Sequence, residues 1–310
     1  MSKPGKIAVH GVVLLDKPQG MTSNGAMKKL RWHFNALKAG HTGSLDPMAT
    51  GLLPICFGQA TKVSEYFLNS SKRYTARVTL GQTTDTYDAE GEIRETKPVN
   101  VSSKKLEAAL EKFRGSIMQQ PPMYSALKRG GQPLYKLARQ GKTVDRPKRP
   151  MTVFDLSCTR LSETELEIDV HCSSGFYVRS LAYDLGEQLG CGAHLSYLRR
   201  TEIKSIGVDQ ALSLEVLLES ELASVLQPID SLLGHLPSME ISEHNAERLL
   251  QGQTVHLDTA GDEQLCRIYI ENNRQSSDQQ RQEIFAVGRV LRNRQLKTDK
   301  IFVLNSKVKS

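Results

Sequence analysis

The segment GHTGSLDPMATGLLP, residues 40–54, places one carboxylate, Asp46, among three glycines and two prolines. Glycine permits backbone angles that other residues avoid, and proline fixes φ and removes a hydrogen-bond donor. We therefore expect an irregular loop here rather than a helix or a strand. An isolated Asp-Pro pair is typical of an ordinary turn, whereas loops held on a rigid scaffold are where catalytic groups concentrate. Asp46 is thus either a turn residue or the reactive group of the chain.

The composition is that of a soluble globular protein. At 310 residues, with 39% hydrophobic and 24% charged residues, the chain is long enough for two domains. No apolar run approaches the ~18 residues of a membrane span, and no signal peptide is expected from the first residues. The five cysteines form no Cys-x-x-Cys pair, which argues against a zinc site and favours reduced thiols. We therefore expect a cytoplasmic protein without a metal.

Positive charge is concentrated in the first half of the chain. Residues 1–150 carry 25 Lys and Arg against 11 Asp and Glu, whereas residues 151–235 carry 5 against 13. Within the first half, residues 114–150 hold nine basic side chains and one acid, with Tyr124 and Tyr135 between them. This distribution points to a polyanionic partner such as RNA. We interpret residues 114–150 as a basic arm that closes on RNA; the alternative is a surface loop without a function.

The pattern of apolar residues predicts an α+β fold. Residues 73–80 alternate strictly, with Tyr74 on the apolar face, which indicates a half-buried strand. Residues 178–189 repeat apolar side chains at helical spacing, which indicates an amphipathic helix. Strands and helices do not alternate regularly, which argues against a doubly wound sheet. There is also no strand, glycine-rich loop and helix unit for a nucleotide-like cofactor, which argues against a methyltransferase.

Two domains are expected, residues 1–235 and residues 236–310. Residues 228–237 begin and end with proline and are interpreted as the linker between them. The second domain is predicted to be small and rich in strands. Residues 271–282 contain no apolar side chain and are interpreted as an exposed loop within it. Its predicted strands lie near residues 265–270, 283–291 and 300–304.

Four further segments carry a recognisable pattern: GVVLLDKPQGM (11–21), KRY (72–74), QPPMYSAL (120–127) and SSGFYVRSLAYDLGEQLGCGAHLSYLRR (173–200). Together with residues 40–54, they resemble the TruB family, the bacterial tRNA pseudouridine-55 synthases, in order and spacing. The resemblance runs through nearly all of the first 200 residues, and the segments around Asp46 and Arg179 are highly specific to it. It implies a pseudouridine synthase domain built on a long mixed sheet with flanking helices and loops, and residues 236–310 resemble the RNA-binding PUA domain.

The resemblance implies an isomerase that converts uridine 55 in the T arm (TΨC loop) of tRNA to pseudouridine without a cofactor or a metal. The implied partner is the T stem-loop of tRNA, from which one base is flipped out. The resemblance implies no membrane and no obligatory protein or guide RNA partner. Two alternatives stay open. One is a non-catalytic RNA-binding or tRNA-folding protein of the same fold, and the other is a relative of the guide-RNA-directed synthases.

Three residues carry the implied chemistry. Asp46 is the family's catalytic carboxylate, and the sequence leaves open whether it attacks the base, attacks the sugar or promotes proton loss from C2′. Arg179 is expected to pair with Asp46, keeping it ionised; the alternative is a surface arginine in the first turn of a helix. Tyr74 is implied to stack on the target uracil and to assist proton removal, although its position on the strand is also typical of a core residue.

Four more residues are assigned to substrate binding by the resemblance. His41 is implied to fill the gap that the flipped base leaves in the RNA, the alternative being a turn residue. Leu198 is implied to close the apolar wall of the pocket, a role compatible with a place in the core. Tyr177 belongs to the motif of the catalytic arginine, and Lys17 is expected to buttress the loop around Asp46.

Overall fold

The structure is a computed structural model that describes residues 5–257, 263–271 and 283–302. Among these residues, ten strands form one mixed sheet and five form a second sheet, so the predicted α+β class is confirmed. In chain order the strands are β1 (Gly11–Lys17), β2 (Ala39–His41), β3 (Thr50–Phe57), β4 (Lys72–Leu80), β5 (Gln82–Thr84), β6 (Ile93–Thr96), β7 (Gly115–Gln119), β8 (Lys128–Arg129), β9 (Gln132–Pro133), β10 (Arg149–Arg160), β11 (Glu165–Cys172), β12 (Ala193–Ile203), β13 (Ile206–Gly207), β14 (Leu212–Ser213), β15 (Ser238–Ile241), β16 (Val255–His256), β17 (Gln264–Ile270), β18 (Ala286–Val290) and β19 (Gln295–Ile301). The α-helices are α1 (Ser23–His33), α2 (Ser64–Leu68), α3 (Ser103–Glu111), α4 (Leu134–Ala138), α5 (Val178–Leu189), α6 (Leu214–Glu219), α7 (Leu222–Val225) and α8 (Glu243–Leu250), and 3-10 helices cover Gly58–Lys62, Val208–Gln210 and Ile229–Leu233.

The large sheet follows the order β14, β1, β3, β12, β4, β11, β10 and β7, with β2 paired to β3 and β13 to β12. Strand β4 shows the predicted alternation, because Tyr74 and every second residue after it are buried while the intervening side chains are not. The predicted amphipathic helix is α5, and its apolar stripe packs in one core cluster with the buried face of β4. This packing places α5 against the central strands β4 and β12 of the sheet.

Residues 40–54 are more regular than their composition predicts. Their first two residues belong to β2 and their last five to β3, and these two strands pair with each other as antiparallel neighbours. The glycines and prolines are tolerated because Gly51 allows a close approach to β12 and Pro54 lies in β3 opposite β1. Only residues 42–49 are irregular, so Asp46 lies in a connection closed by two paired strands.

The second sheet, β15 to β19, shares a core with the first part of the chain. Tyr269 and Phe302 pack in one apolar cluster with Val12 and with residues around α2. Residues 228–237 were expected to be a linker, but Ile229 and its neighbours in the 3-10 helix are buried in the same cluster. The segment therefore connects the two sheets through packing rather than as exposed chain.

Other strand limits differ from the sequence prediction. The strand expected at residues 300–304 begins earlier, because those residues include only the end of β19, which starts at Gln295. Of the loop predicted at residues 271–282, all but Glu271 lies outside the described residues. Within the part of the chain that the structure describes, no helix has the length and apolar character needed to cross a membrane.

Candidate active site

Side chains from two neighbouring elements hold the loop that carries Asp46. The Ser23 hydroxyl, at the start of α1, accepts from the Leu45 amide at 2.7 Å and donates to the Leu45 carbonyl at 3.1 Å. The fully buried Lys17 ammonium, at the end of β1, donates to the Pro47 carbonyl at 3.4 Å. The backbone is therefore fixed on both sides of Asp46, which presents its carboxyl group in a defined position.

A buried guanidinium group, that of Arg200 in β12, supports the two ends of the same loop. Its Nε donates to the Leu52 carbonyl at 2.8 Å and its Nη2 to the Gly43 carbonyl at 3.1 Å. Its positive charge also opposes the rise in the pKa of the Tyr74 hydroxyl. At Gly51 the backbone has φ of 103° and lies so close to β12 that a Cβ atom would collide with the Arg200 backbone. Arg200 thus fixes the loop relative to β12, and Tyr74 lies opposite it on β4.

Arg179 is the second residue of α5, and its side chain is only 5% exposed. Its Nε lies 2.9 Å from Oδ2 of Asp46, and its Nη1 lies 3.3 Å from Oδ2 of Asp88. Nη1 and Nη2 also donate to the carbonyls of Thr86 and Tyr124, at 3.3 and 2.7 Å. The predicted ion pair with Asp46 is present, and the alternative of a surface arginine is wrong. One guanidinium group therefore connects the Asp46 loop, the segment after β5 and the basic arm.

The start of α5 is positioned by a glutamine on β7. The Gln119 side chain accepts from the Tyr177 amide at 2.8 Å and donates to the Tyr177 carbonyl at 2.9 Å. One residue along, the Ser180 hydroxyl donates to the Gln120 carbonyl at 2.8 Å. These bonds tie the first turn of the helix to the edge of the large sheet, and Arg179 lies between them.

Asp46 and Arg179 line a cavity of about 470 Å³, a size typical of small-ligand sites. Tyr74 from β4 and Leu198 from β12 supply apolar surface beside the carboxyl group. The basic arm contributes a further wall through Tyr124, Tyr135 and Arg139. The other lining residues include Thr22, Thr86, Asp88, Glu90, Tyr124, Ser125, Tyr135, Arg139, Phe176 and Tyr177. The cavity thus offers an apolar slot next to one carboxylate and one guanidinium group.

Burial dominates the electrostatics of this cavity. It raises the pKa of the Asp46 carboxyl above its ordinary value; the Arg179 guanidinium opposes the shift and the Asp88 carboxylate adds to it. Arg179 therefore does not outweigh desolvation, contrary to the expectation from sequence. Burial likewise raises the pKa of the Tyr74 hydroxyl, with Arg200 opposing. In the free protein, both groups hold their protons more strongly than the same groups in water.

The structure does not bring two of the assigned residues to the cavity wall. Lys17 lies behind the loop, where burial lowers its pKa to about 8 although Asp46 opposes the shift. His41, at the end of β2, is half-buried; its Nδ1 accepts from the Gly43 amide at 3.4 Å, and burial lowers its pKa. Lys17 therefore supports the loop rather than lining the site, and His41 lies at its outer edge.

Two residues of the site were missed from the sequence. Asp88 lies in a polar stretch of sequence that gives no sign of burial, yet it is 3% exposed and shares Arg179 with Asp46. Arg200 ends the YLRR string that carries the family resemblance, but no role had been given to it. The sequence indicates a role for Asp88 only weakly: like Asp46, it lies in a loop that follows a strand, and this loop is rich in Thr and Asp.

The thiols play no part in the cavity. Cys56 and Cys172 are buried, and burial raises the pKa of each to about 12. Considering residues 5–257, 263–271 and 283–302, no group of three or more His, Cys, Asp or Glu side chains is arranged to hold a metal ion. The functional groups of the cavity are therefore the Asp46, Asp88 and Glu90 carboxyl groups, the Arg139 and Arg179 guanidinium groups, and aromatic rings.

Comparison with known proteins places this site in one family. Three family models match consecutive parts of the chain: the TruB family pseudouridylate synthase N-terminal domain at residues 31–178, the tRNA pseudouridylate synthase B C-terminal domain at 179–234, and the pseudouridine synthase II TruB C-terminal region at 237–275. The tRNA pseudouridine synthase B of Stutzerimonas stutzeri strain A1501 is 51% identical over 273 residues, covering 86% of this chain and 90% of that protein. The enzyme of the same name from Shewanella sp. strain MR-4 is 46% identical over 279 residues, covering 86% and 88%.

A solved structure gives the same result at the level of the fold. A chain from the crystal structure of a Cbf5-Nop10-Gar1 complex superposes with a TM-score of 0.69 at 25% identity, covering 95% of this chain and 85% of that one. The agreement extends over both sheets of the present structure. With half of its residues shared with such relatives over most of its length, the chain belongs to the TruB family of pseudouridylate synthases.

Proposed function

We propose that the protein converts uridine 55 in the T arm of tRNA to pseudouridine. The observation that carries this proposal is the Asp46 carboxyl group, which lies in an apolar-walled cavity 2.9 Å from the Arg179 guanidinium. The relatives named tRNA pseudouridine synthase B support tRNA as the substrate. Position 55 rests on the family resemblance of residues 40–54 and 173–200.

The reaction needs only groups that the cavity supplies. The N1–C1′ bond of the uridine breaks, the uracil turns, and a C5–C1′ bond forms; the C5 proton leaves and N1 ends protonated. No redox change and no outside group are involved. Asp46 acts on the glycosidic linkage, as carboxylates do in other glycosyl chemistry. Attack on the base, attack on the sugar and proton loss from C2′ all require the ionised form of this carboxyl group.

The remaining wall residues suit a flat base. The Tyr74 ring and the Leu198 side chain are apolar surfaces on neighbouring strands, β4 and β12, beside Asp46. A base stacked on an aromatic ring gains ~1–3 kcal/mol. Tyr74 is buried and lies opposite Arg200 in the pairing of β4 with β12, so packing holds the orientation of its ring. We assign Tyr74 to base stacking and to removal of the C5 proton, and Leu198 and Tyr177 to the pocket walls.

The RNA must deliver an extruded base, at an unstacking cost of a few kcal/mol. Residues 114–150 form the arm that closes on the RNA, because Tyr124 and Arg139 already line the cavity and the arm is basic. His41, at the edge of the site, fills the gap in the RNA, and residues 236–310 act as a PUA-like RNA-binding domain. We propose that the protein works as a stand-alone enzyme in the cytoplasm.

The test uses pure protein, a T stem-loop hairpin and no additives. Carbodiimide mapping or mass spectrometry should detect pseudouridine with the wild-type protein, and none when the target uridine is replaced by cytidine. Asp46→Asn should abolish product formation while hairpin affinity changes less than about tenfold, or ~1.4 kcal/mol. Binding without product by the wild-type protein would favour the non-catalytic RNA-folding alternative, and turnover by the variant would refute the role of Asp46.

The arm has its own test. Limited proteolysis within residues 114–150 should be rapid in the free protein and slow when the hairpin is bound. Cleavage at the same rate with and without RNA would contradict closure of the arm.

A further inference from the structure

A large aromatic side chain faces solvent on α1, away from the cavity. Trp32, the single tryptophan of the chain, is 77% exposed. The opposite face of α1, with Ala26 and Leu30, is buried in an apolar core cluster, so the fold of the helix does not depend on the indole. Within the described residues, the Trp32 ring makes no aromatic or cation–π contact with another side chain. Its faces are therefore free for a ligand from outside the chain.

The surroundings of Trp32 are basic. Lys28 and Lys29 precede it by four and three residues, which places all three side chains on one side of the helix, and both lysines are exposed. Residues 17–45 contain no Asp or Glu, so no carboxylate of this segment competes for the ammonium groups. An exposed aromatic ring between cations is the combination that binds nucleic acid: the cations contact phosphates and the ring stacks on a base.

The position of this surface relative to the cavity limits what it binds. Thr22, which caps α1, lines the cavity, and Trp32 lies ten residues further along. At 1.5 Å per residue the two are separated by about 15 Å along the helix axis. On the proposed function, the extruded base of the T loop occupies the cavity and the rest of that loop lies at its mouth. Beyond that loop the arm is double-stranded, and bases within a duplex have no free face for an aromatic side chain.

We propose that Lys28, Lys29 and Trp32 form an RNA-binding surface, the α1 surface, that stacks an unpaired base of tRNA from outside the T arm. The proposal rests on tRNA being the substrate. The indole supplies the stacking face and the two lysines contact the flanking phosphates. A whole tRNA therefore gains a contact that an isolated T stem-loop lacks.

Because the chain has one tryptophan, its fluorescence reports directly on this surface. We expect an unmodified whole tRNA to quench Trp32 emission, since a base stacked on the excited indole quenches it by electron transfer, while the T stem-loop hairpin leaves it unchanged. Trp32→Phe contains no tryptophan, so its signal gives the tyrosine and inner-filter background. The titration also yields the Kd for each RNA.

Removal of the Trp32 ring should weaken the binding of whole tRNA but not that of the hairpin. Trp32→Ala should raise the Kd and KM for tRNA about tenfold, within the range of one stacked base, with the hairpin values and kcat unchanged. The Kd and KM of Trp32→Phe for tRNA should lie between those of the wild type and of Trp32→Ala, because a phenyl ring stacks on a smaller area. The matched control is Phe154→Ala: Phe154 is 56% exposed but lies in the acidic region 151–235, and its replacement should leave both RNAs unaffected.

Four results would overturn the α1 surface. In the first, Trp32→Ala binds tRNA as tightly as the wild type, and in the second, the hairpin quenches the tryptophan emission as strongly as whole tRNA does. In the third, Phe154→Ala lowers tRNA affinity as much as Trp32→Ala does. In the fourth, the tryptophan signal changes with protein concentration alone, which would indicate self-association. The proposed function is judged separately, by pseudouridine formation on the hairpin, which does not involve Trp32. Each variant should have the same midpoint temperature of thermal unfolding as the wild type, which would show that these replacements of exposed side chains leave the fold intact.

Discussion

Neutralising Asp88 should move the pH dependence of catalysis without removing the catalytic carboxylate. Asp88 and Asp46 both contact the Arg179 guanidinium, so two negative charges share one positive charge within a buried cluster. In Asp88→Asn the shape of the side chain is kept, including its hydrogen bonds with the Thr86 hydroxyl and the Glu90 amide. Arg179 is then left with Asp46 as its one carboxylate partner in the cluster.

The size of the effect follows from the geometry. Two carboxylates on one guanidinium group lie on the order of 6 Å apart, and at an effective dielectric constant of about 20 their repulsion is ~3 kcal/mol. The Asp46 side chain is 38% exposed, and solvent on its open side screens part of this repulsion. We expect the pKa of Asp46 to fall by about one unit, or ~1.4 kcal/mol. Loss of a charged partner should also let Arg179 move and lower kcat.

The assay is kcat/KM for the T stem-loop hairpin between pH 4 and pH 9. Asp46 has a raised pKa in the folded protein and must be ionised to act, so wild-type activity should fall on the acid side at a pH above the ordinary range of aspartate. In Asp88→Asn this acid limb should lie about one pH unit lower. Glu90→Gln, which neutralises a more exposed carboxylate at the same cavity, should shift it less. An unchanged or higher acid limb in Asp88→Asn would refute the shared-charge reasoning.

Three further outcomes are expected. Burial lowers the pKa of Lys17 to about 8, so its ammonium group loses a proton above pH 8 and its hydrogen bond to the Pro47 carbonyl weakens. Wild-type activity should therefore decline above pH 8. Lys17→Met should be less active at pH 7, and its pH–rate profile should lack this alkaline limb. Since the folded pKa lies below the unfolded one, Lys17 should also make wild-type stability rise between about pH 8 and 10.5. Gly51→Ala should lower the free energy of unfolding, measured by urea denaturation, by more than about 3 kcal/mol, because a positive φ and a collision with the Arg200 backbone act together. Gly190→Ala, which has a positive φ but open space around it, should lower it by about 1 kcal/mol. Equal losses in the two variants would contradict the collision. The five thiols, of which four are buried, should react slowly with iodoacetamide in the folded protein and fully in urea, as followed by mass spectrometry, and rapid labelling without urea would contradict their burial.

Patterns that are local in sequence predicted much of the framework. The alternation of residues 73–80 identified β4 and its buried face, and the helical repeat of residues 178–189 identified α5. The pairing of Arg179 with Asp46 followed from a motif match, since 133 residues of sequence separate the two and no periodicity relates them. The resemblance supplied the one long-range contact on which the site depends.

Contacts that depend on burial were not accessible in this way. Asp88 appears in the sequence as one of several acids in a polar loop, and only the return of that loop against α5 buries it beside Arg179. Residues 228–237 have the prolines of a linker, yet Ile229 packs between elements more than 200 residues apart. The resemblance placed Lys17 both among the substrate-binding residues and as a support of the Asp46 loop, and only the structure shows that it supports the loop without lining the cavity.

The charge on the cavity wall also explains why the basic arm belongs to the site. Asp46, Asp88 and Arg179 together carry one negative charge, and an approaching RNA phosphate adds more. Each added negative charge raises the pKa of Asp46 and works against its ionisation. Arg139 lines the same cavity, and the Tyr124 carbonyl accepts a hydrogen bond from Arg179, so the arm brings positive charge to the wall and contacts the partner of Asp46. If the arm closes on RNA as proposed, we expect its positive charge to offset that of the phosphates and to favour the ionised form of Asp46.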